Sequence, residues 1–424
     1  MKITHIHIER FRGFQNEDFE VGSLLTAIAG QNGTQKSTLL GIITQTFTLK
    51  TEDSMRVEKP LCGGSYISAF KDKFRLSPTF DKPKGHEWTI SFDAGMDDFT
   101  VESIKRTGDP NVRFWKKGAR QEGDGYISFP TIFLSLKRLV PVAEEAKIIT
   151  DDTLLTQEEL NEFKQLHNKI LIAQTPISSA TTITSKNKQS IGVSTELYDW
   201  NQNSMGQDNL GKIILALFSF KRLHDKYPRQ YKGGILAIDE MDATMYPASQ
   251  VELLKVLRKY ASKLNLQILF TTHSMSLLKA MDDLVQEVTK KEETANQAKI
   301  LYLKKVDDKI AIKQGVNFKG IQLDLNVVAE GNNRKKNRIT AYTEDKENIL
   351  FVKAILKSKA FVLDFVDVTL PCSTLMELVT KRVPAFIYPY SIVILDGDVR
   401  MNKNDLRKIN NADNILILPG NKSP

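Results

Sequence analysis

Over the first residues of the chain, Thr4, Ile6 and Ile8 alternate with Ile3, His5, His7 and Glu9. A period of two predicts a strand. Residues 24–29 form a short apolar run and residues 37–47 read as a helix, so the chain opens as strand, glycine-rich turn, helix. Residues 51–130 mix turns with short alternating runs such as 87–93, which predicts a small antiparallel β-region. Between 143 and 173, Leu154, Leu155, Leu160, Phe163, Leu166 and Ile170 fall at helical spacings, while 175–194 is rich in Ser and Thr and reads as a loop. Further on, 208–224 reads as a helix, 234–238 as a buried strand, 249–264 as a helix and 266–271 as a second buried strand. Alternation of this kind predicts an α/β fold with a mostly parallel sheet.

A polar, basic stretch at 320–338 marks a boundary, and a second α/β alternation follows it. Strand 339–342 leads into helix 346–356, and strands are expected at 365–369 and 391–395. The organisation read from the pattern is a domain over 1–320 with a helical insertion at about 143–200, a linker at 321–338 and a smaller domain over 339–424. The last residues end abruptly for a closed domain, which leads us to expect an incomplete one.

Composition narrows the classes without deciding between them. With 424 residues, 41% of them hydrophobic, the chain has enough apolar material for more than one core. No run of about 18 apolar residues suggests a membrane helix, and the opening residues do not read as a signal peptide. Cys62 and Cys372 fit no metal spacing and read as reduced thiols, so a cytoplasmic location is expected. A net charge of +8 suits contact with nucleic acid and equally suits lysine-rich solvated faces.

The chemistry sits in four short motifs. Gly30-Gln31-Asn32-Gly33-Thr34-Gln35-Lys36-Ser37-Thr38 follows a strand and opens a helix. This is the context of a phosphate-binding loop, in which backbone N–H groups and the helix dipole hold phosphates. Lys36 is placed to reach the β and γ phosphates of a nucleotide, and the Ser37 hydroxyl to bind Mg²⁺. Gln35 stands where a second glycine is usual, at a cost of about 1 kcal/mol if a positive φ is required there. The apolar run 234–238 ends in Asp239 and Glu240, suited to supporting the metal and acting as general base. His273 follows the next buried strand, where it is placed to contact a γ-phosphate. Asn203-Ser204-Met205-Gly206-Gln207 opens a helix.

Together these motifs resemble the ABC ATPases, whose signature is Leu-Ser-Gly-Gly-Gln. Ser204, Gly206 and Gln207 match it, while Asn203 and Met205 depart. The resemblance implies that ATP and Mg²⁺ are bound by Gly30, Asn32, Gly33, Thr34, Gln35, Lys36, Ser37 and Thr38. It also implies that Ser204, Gly206 and Gln207 complete the site in trans, in a homodimer closed through its ATP sites. The opening 8–14 and the run DEMDATMYP at 239–247 are similar to the SMC-like and RecF-like branch, without its long coiled-coil insertion. Within that branch, 133–141 (FLSLKRLVP), 204–209 (SMGQDN), 395–398 (LDGD) and 418–420 (LPG) resemble PtuA, the ATPase subunit of Septu-type anti-phage systems, including retron-associated ones. That resemblance implies an HNH nuclease partner, PtuB, and an association with a retron reverse transcriptase and its msDNA.

Residues 339–424 are similar to the Toprim domain of OLD nucleases. The likeness rests on Glu344 after one strand and Asp396 and Asp398 after another. It implies a second Mg²⁺ site at these three acids, although Asp-Gly-Asp is also an ordinary turn. Arg334, Lys335, Lys336 and Arg338 suit nucleic-acid phosphates as well as a solvated linker. Three functions therefore enter the structural comparison: an ATPase subunit gating a nuclease, a nuclease acting through its own acids, and a RecF-like DNA-binding ATPase.

Overall fold

In a computed structural model of the chain, all residues are described except 68–69, 94, 106–111, 120–123, 140–147, 152–153, 185–188, 331–338, 388–390, 410–411 and 423–424. The basic run at 334–338 and the end of the 133–141 run lie outside the described residues. The chain divides into two compact units, Met1–Leu323 and Asp324–Pro424. Residues up to 330 of the expected linker are helical, in Phe318–Glu330.

The first unit is built on a six-stranded sheet. Its order is Lys309–Lys313, Ala298–Val306, Leu25–Gly30, Leu266–Thr272, Gly234–Ile238, Thr131–Leu134. All neighbours are parallel except Lys309–Lys313. The three central strands are buried at every position, as continuous apolar runs require when both faces of a parallel sheet are covered. Their register pairs Thr272 with Ala29 and Ile238 with Phe270, so these strands end at one edge.

A second, antiparallel sheet runs Phe14–Glu20, Ile3–Phe11, Glu87–Phe92, Phe99–Lys105, Val112–Lys116. Ile6, Ile8 and Phe11 of its second strand are fully buried, and His5 and Glu9 face outward. Helix Lys36–Thr44 packs over the central strands. Its Leu39, Leu40, Ile42 and Ile43 share one apolar cluster with residues of both sheets. A helix apolar on all sides is one enclosed on all sides.

The segment expected as a helical insertion is mixed. Among its described residues the α-helix is Gln157–Leu171, started by a reciprocal capping box between Thr156 and Glu159. The expected loop at 175–194 is instead an antiparallel pair, Ser179–Thr184 with Gln189–Ser194, extended by Ile149–Asp151. Threonines favour strands, and Ile191 and Val193, opposite Thr182 and Ala180, give the pair a buried side. Helix Gln157–Leu171 packs on Met205–Lys226 and Pro247–Lys263, which brings this insertion against the helix that carries the signature motif.

The second unit has a four-stranded, all-parallel sheet ordered Leu363–Phe365, Ile339–Thr343, Ser391–Leu395, Ile415–Ile417. Val393 and Leu395 enter one apolar cluster and Ile394 another, the alternation expected of a strand covered on both faces. The strand expected at 365–369 ends at Phe365.

Candidate nucleotide site

The phosphate loop leaves its strand at Gly30, whose φ of +150° and close neighbours leave no room for a side chain. A Cβ there would lie 2.4 Å from the Leu303 carbonyl oxygen. Thr34 closes the loop by donating from its hydroxyl to the Gln31 carbonyl at 2.8 Å. Asn32, Gly33 and Ser37 face solvent, on the side where a nucleotide would enter. Gln35 caps the helix in the left-handed region, at φ 61°. The position flagged by the sequence thus carries the strain of about 1 kcal/mol that glycine would avoid. Its side chain lies beneath Gly13, so close that a Cβ on Gly13 would meet Gln35 Nε2 at 2.8 Å and Ile310 Cγ1 at 2.7 Å.

Lys36 is buried and donates to the carbonyls of Gly30 at 3.1 Å and Gln31 at 2.9 Å. Burial lowers its pKa, and the nearby Glu240, Asp239 and Asp242 act against that. Thr38, one turn on, accepts a hydrogen bond from Arg12 Nη1 at 3.4 Å.

Asp239 joins the loop to the neighbouring strands. Its Oδ1 accepts from the Ser37 hydroxyl and from the Thr271 hydroxyl, each at 2.8 Å. The Glu240 N–H donates to the same Thr271 hydroxyl at 2.6 Å. Glu240 itself is left-handed, at φ 50°. His273 follows the Leu266–Thr272 strand, and its N–H points at Asp242 Oδ1, 3.4 Å away. Burial lowers its pKa, with Lys36 adding to the effect and Asp242, Glu240 and Asp239 opposing it. Lys36, Asp239, Glu240, Asp242 and His273 therefore share one electrostatic neighbourhood. The Ser37 hydroxyl and the Asp239 carboxylate are hard oxygen donors already side by side, which fits Mg²⁺ carried in with nucleotide phosphates.

The signature motif starts helix Met205–Lys226. Ser204 caps it, accepting from the Gln207 N–H at 3.4 Å, while the Ser204 N–H donates to Gln207 Oε1 at 2.8 Å. Gln207 Nε2 donates to the Tyr198 hydroxyl at 2.8 Å, so both ends of this amide serve the cap and its surroundings. A Cβ on Gly206 would lie 2.6 Å from the Thr244 carbonyl, so packing alone demands glycine here. Ser204 and Met205 are exposed. Among the described residues, no hydrogen bond of the Ser204 or Gln207 side chain reaches the phosphate loop of the same chain.

Sequence reasoning missed Thr271, Asp242, Asn209 and the role of Arg138. Arg138 is 1% exposed and donates to Asn209 Oδ1 at 2.7 Å and to the Glu240 carbonyl at 2.7 Å. Asn209, a polar residue on a buried helix side, was the available signal.

The acids of the second unit are gathered but differently employed. Glu344 and Asp396 follow adjacent parallel strands, and Glu344 Oε1 accepts the Asp396 N–H at 2.9 Å. Burial raises the Glu344 pKa, and Asp396, Asp398 and Asp345 raise it further. Among the described residues, no group of three or more His, Cys, Asp or Glu side chains is arranged to hold a metal. Of the acids expected at a second Mg²⁺ site, Glu344, Asp396 and Asp398, Glu344 uses one carboxylate oxygen to accept the Asp396 backbone N–H.

Residues 135–278 match the family model of the AAA ATPase domain (AAA_15), a stretch that contains the signature motif, Asp239, Glu240 and His273. No curated protein sequence matches the chain. Among solved structures, the chain is similar to the SMC head domain from Thermotoga maritima, with 14% identity and a TM-score of 0.41 over 74% of this chain and 100% of that one. It is also similar to an Smc head bound to the C-winged helix domain of ScpA, with 14% identity and a TM-score of 0.43 over 76% and 100%. A third similar structure is the recombination mediator protein RecF of the RecFOR pathway, with 12% identity and a TM-score of 0.37 over 74% and 98%. Among the described residues, no helix is long and apolar enough to cross a membrane.

The fit of Gln35 beneath Gly13 predicts a coupled pair. Gly13→Ala lowers stability by about 1–3 kcal/mol through overpacking, and in a Gln35→Gly background the loss is smaller because one of the two clashes is gone. Equal losses in both backgrounds, measured by chemical denaturation, would show that the two residues are independent.

Proposed function

We propose that this chain is an ATPase that hydrolyses Mg·ATP held between two copies of its first unit. The observation that carries the reading is the linkage Ser37–Asp239–Thr271–Glu240, which brings the phosphate loop, the metal-supporting acid and the base to one sheet edge. The AAA ATPase match over 135–278 supports it.

In this reading the loop N–H groups and the helix start hold the phosphates, and Lys36 exchanges its loop carbonyls for the β and γ oxygens. Ser37 and Asp239 would hold Mg²⁺, which would supply charge neutralisation at the phosphates. Glu240 orients the attacking water and takes its proton, and His273 contacts the γ-phosphate. Ser204 and Gly206 of the second copy close over the nucleotide. Their helix start is exposed, and among the described residues no hydrogen bond of the Ser204 or Gln207 side chain reaches the phosphate loop of the same chain, which supports a site completed in trans. Turnover is slow in this reading, because Gln35 carries left-handed strain where glycine is usual and the loop adapts to the phosphates only at a cost.

We further propose that nucleotide state restrains or releases a nuclease, in an anti-phage assembly of the Septu type. The runs at 133–141, 204–209, 395–398 and 418–420 support this through their resemblance to PtuA. The partners are then PtuB and, in a retron-associated form, the reverse transcriptase with its msDNA. A Toprim-like second unit in which one Glu344 oxygen accepts the Asp396 backbone N–H suits docking better than cleavage.

Purified Lys36→Ala is expected to lose at least about tenfold in ATP affinity. Glu240→Gln is expected to keep its affinity and lose about 10²-fold in hydrolysis rate. Unchanged turnover in both variants would refute the ATPase site. Co-purification from the native operon is expected to return a nuclease at fixed stoichiometry; a lone homo-oligomer with plasmid-cleaving activity lost in Asp396→Ala would refute the gating role.

A further inference from the structure

Arg138 is the one guanidinium among the described residues that is both almost fully enclosed and bonded into the nucleotide site. It belongs to the 133–141 run, for which the proposed mechanism has no use so far. Every nitrogen is engaged. Nε donates to Asn209 Oδ1 at 2.7 Å, Nη1 to the carbonyls of Leu134 at 3.3 Å and Ser135 at 3.1 Å, and Nη2 to the Glu240 carbonyl at 2.7 Å. Its neighbours in charge are Asp239, Glu240 and Asp242. Enclosing a charge that is bonded mainly to neutral acceptors is expensive, and an apolar side chain would serve stability better.

The partners indicate what the charge is for. The Glu240 peptide is in the left-handed region, a conformation that costs a glutamate energy and has to be held from outside. Arg138 holds it by its carbonyl. Asn209, at the other end of the guanidinium, lies one turn inside the helix that Ser204 starts. The Asn209 amide also donates to the Ala243 carbonyl at 2.9 Å and the Thr244 hydroxyl at 3.4 Å. Gly206 rests against the Thr244 carbonyl, and Thr244 is left-handed too, at φ 68°. The start of the signature helix and the peptide of the base are thus connected through two side chains, with strained backbone on one side of the connection.

We propose that Arg138, acting with Asn209, is a positioning residue that ties the conformation of Glu240 to the placement of the Ser204 helix, so that hydrolysis waits until a second copy's nucleotide engages that helix. The inference rests on the reading of Glu240 as the base of an ATPase. Neither residue touches nucleotide. Shifting the Ser204 helix moves Asn209, Asn209 moves the guanidinium, and the guanidinium sets whether Glu240 keeps its left-handed backbone and aims its carboxylate at the γ-phosphate side.

The test uses the full chain and two variants, Arg138→Lys and Asn209→Ala. Lysine keeps the charge but lacks the planar fork that spans Asn209 and Glu240. Asn209→Ala leaves Arg138 its three carbonyl bonds and removes the whole connection from the helix to Arg138, Ala243 and Thr244, so it carries the test if Arg138→Lys does not fold. ATP affinity is measured with a fluorescent ATP analogue, and kcat is expressed per nucleotide bound, so that unfolded material does not count. Expected is a fall in kcat of about tenfold or more with KM within about threefold of the wild type, since misplacing a catalytic group spares ground-state binding. Wild-type kcat in Asn209→Ala, or a rise in KM at unchanged kcat, would overturn the proposal while leaving the ATPase reading intact. A wild-type chain that binds ATP without hydrolysing it would overturn both.

Discussion

A single carboxylate oxygen, Asp239 Oδ1, holds the candidate site together. It receives one hydroxyl from the phosphate-loop helix and one from the Leu266–Thr272 strand, while its own residue ends the Gly234–Ile238 strand. The three elements meet there only because their strands are parallel and in register and end at the same edge, where open parallel sheets bind ligands. That register depends in turn on apolar runs buried on both faces. The helix that follows the phosphate loop is fixed from the other side by the antiparallel sheet, through a cluster reaching from Ile6 to Leu301. The geometry of a few polar atoms is thus supported by a large apolar volume.

Around this junction three non-glycine residues take left-handed backbone: Gln35, Glu240 and Thr244. Each costs on the order of 1–2 kcal/mol, and each is held by a named contact. Gln35 is held beneath Gly13, Glu240 by Arg138, and Thr244 by Asn209 and the close approach of Gly206. Strain that persists only under external support is easily released when the support moves, and this is the physical basis of the proposed link between hydrolysis and the signature helix.

Much of this was legible in the sequence, for identifiable reasons. The strands Leu25–Gly30, Gly234–Ile238 and Leu266–Thr272 are continuous apolar runs, and helix Lys346–Leu356 has the expected bounds. The left-handed Gln35 was legible because its place in the loop carries a known backbone demand. The hairpin Ser179–Thr184 with Gln189–Ser194 was not, because Ser and Thr serve loops and strands alike and it packs on helix Met205–Lys226, which follows it in the chain. Arg138 was not legible either. Its partners lie 71 and 102 positions away, a proximity set by the sheet order and not by local spacing. For Glu344, Asp396 and Asp398, spacing placed the acids at the ends of neighbouring strands and gave no sign that one Glu344 oxygen would accept a backbone N–H.

The central claim is that nucleotide joins two copies through the exposed start of the Ser204 helix. The most direct test is the native mass of Glu240→Gln with and without Mg·ATP, alongside the same chain carrying Ser204→Arg. The account predicts that ATP converts the 48.0 kDa chain into a species of twice the mass, and that Ser204→Arg prevents this without abolishing ATP binding. A chain that stays single at saturating ATP, or whose association is indifferent to both ATP and Ser204→Arg, would contradict it.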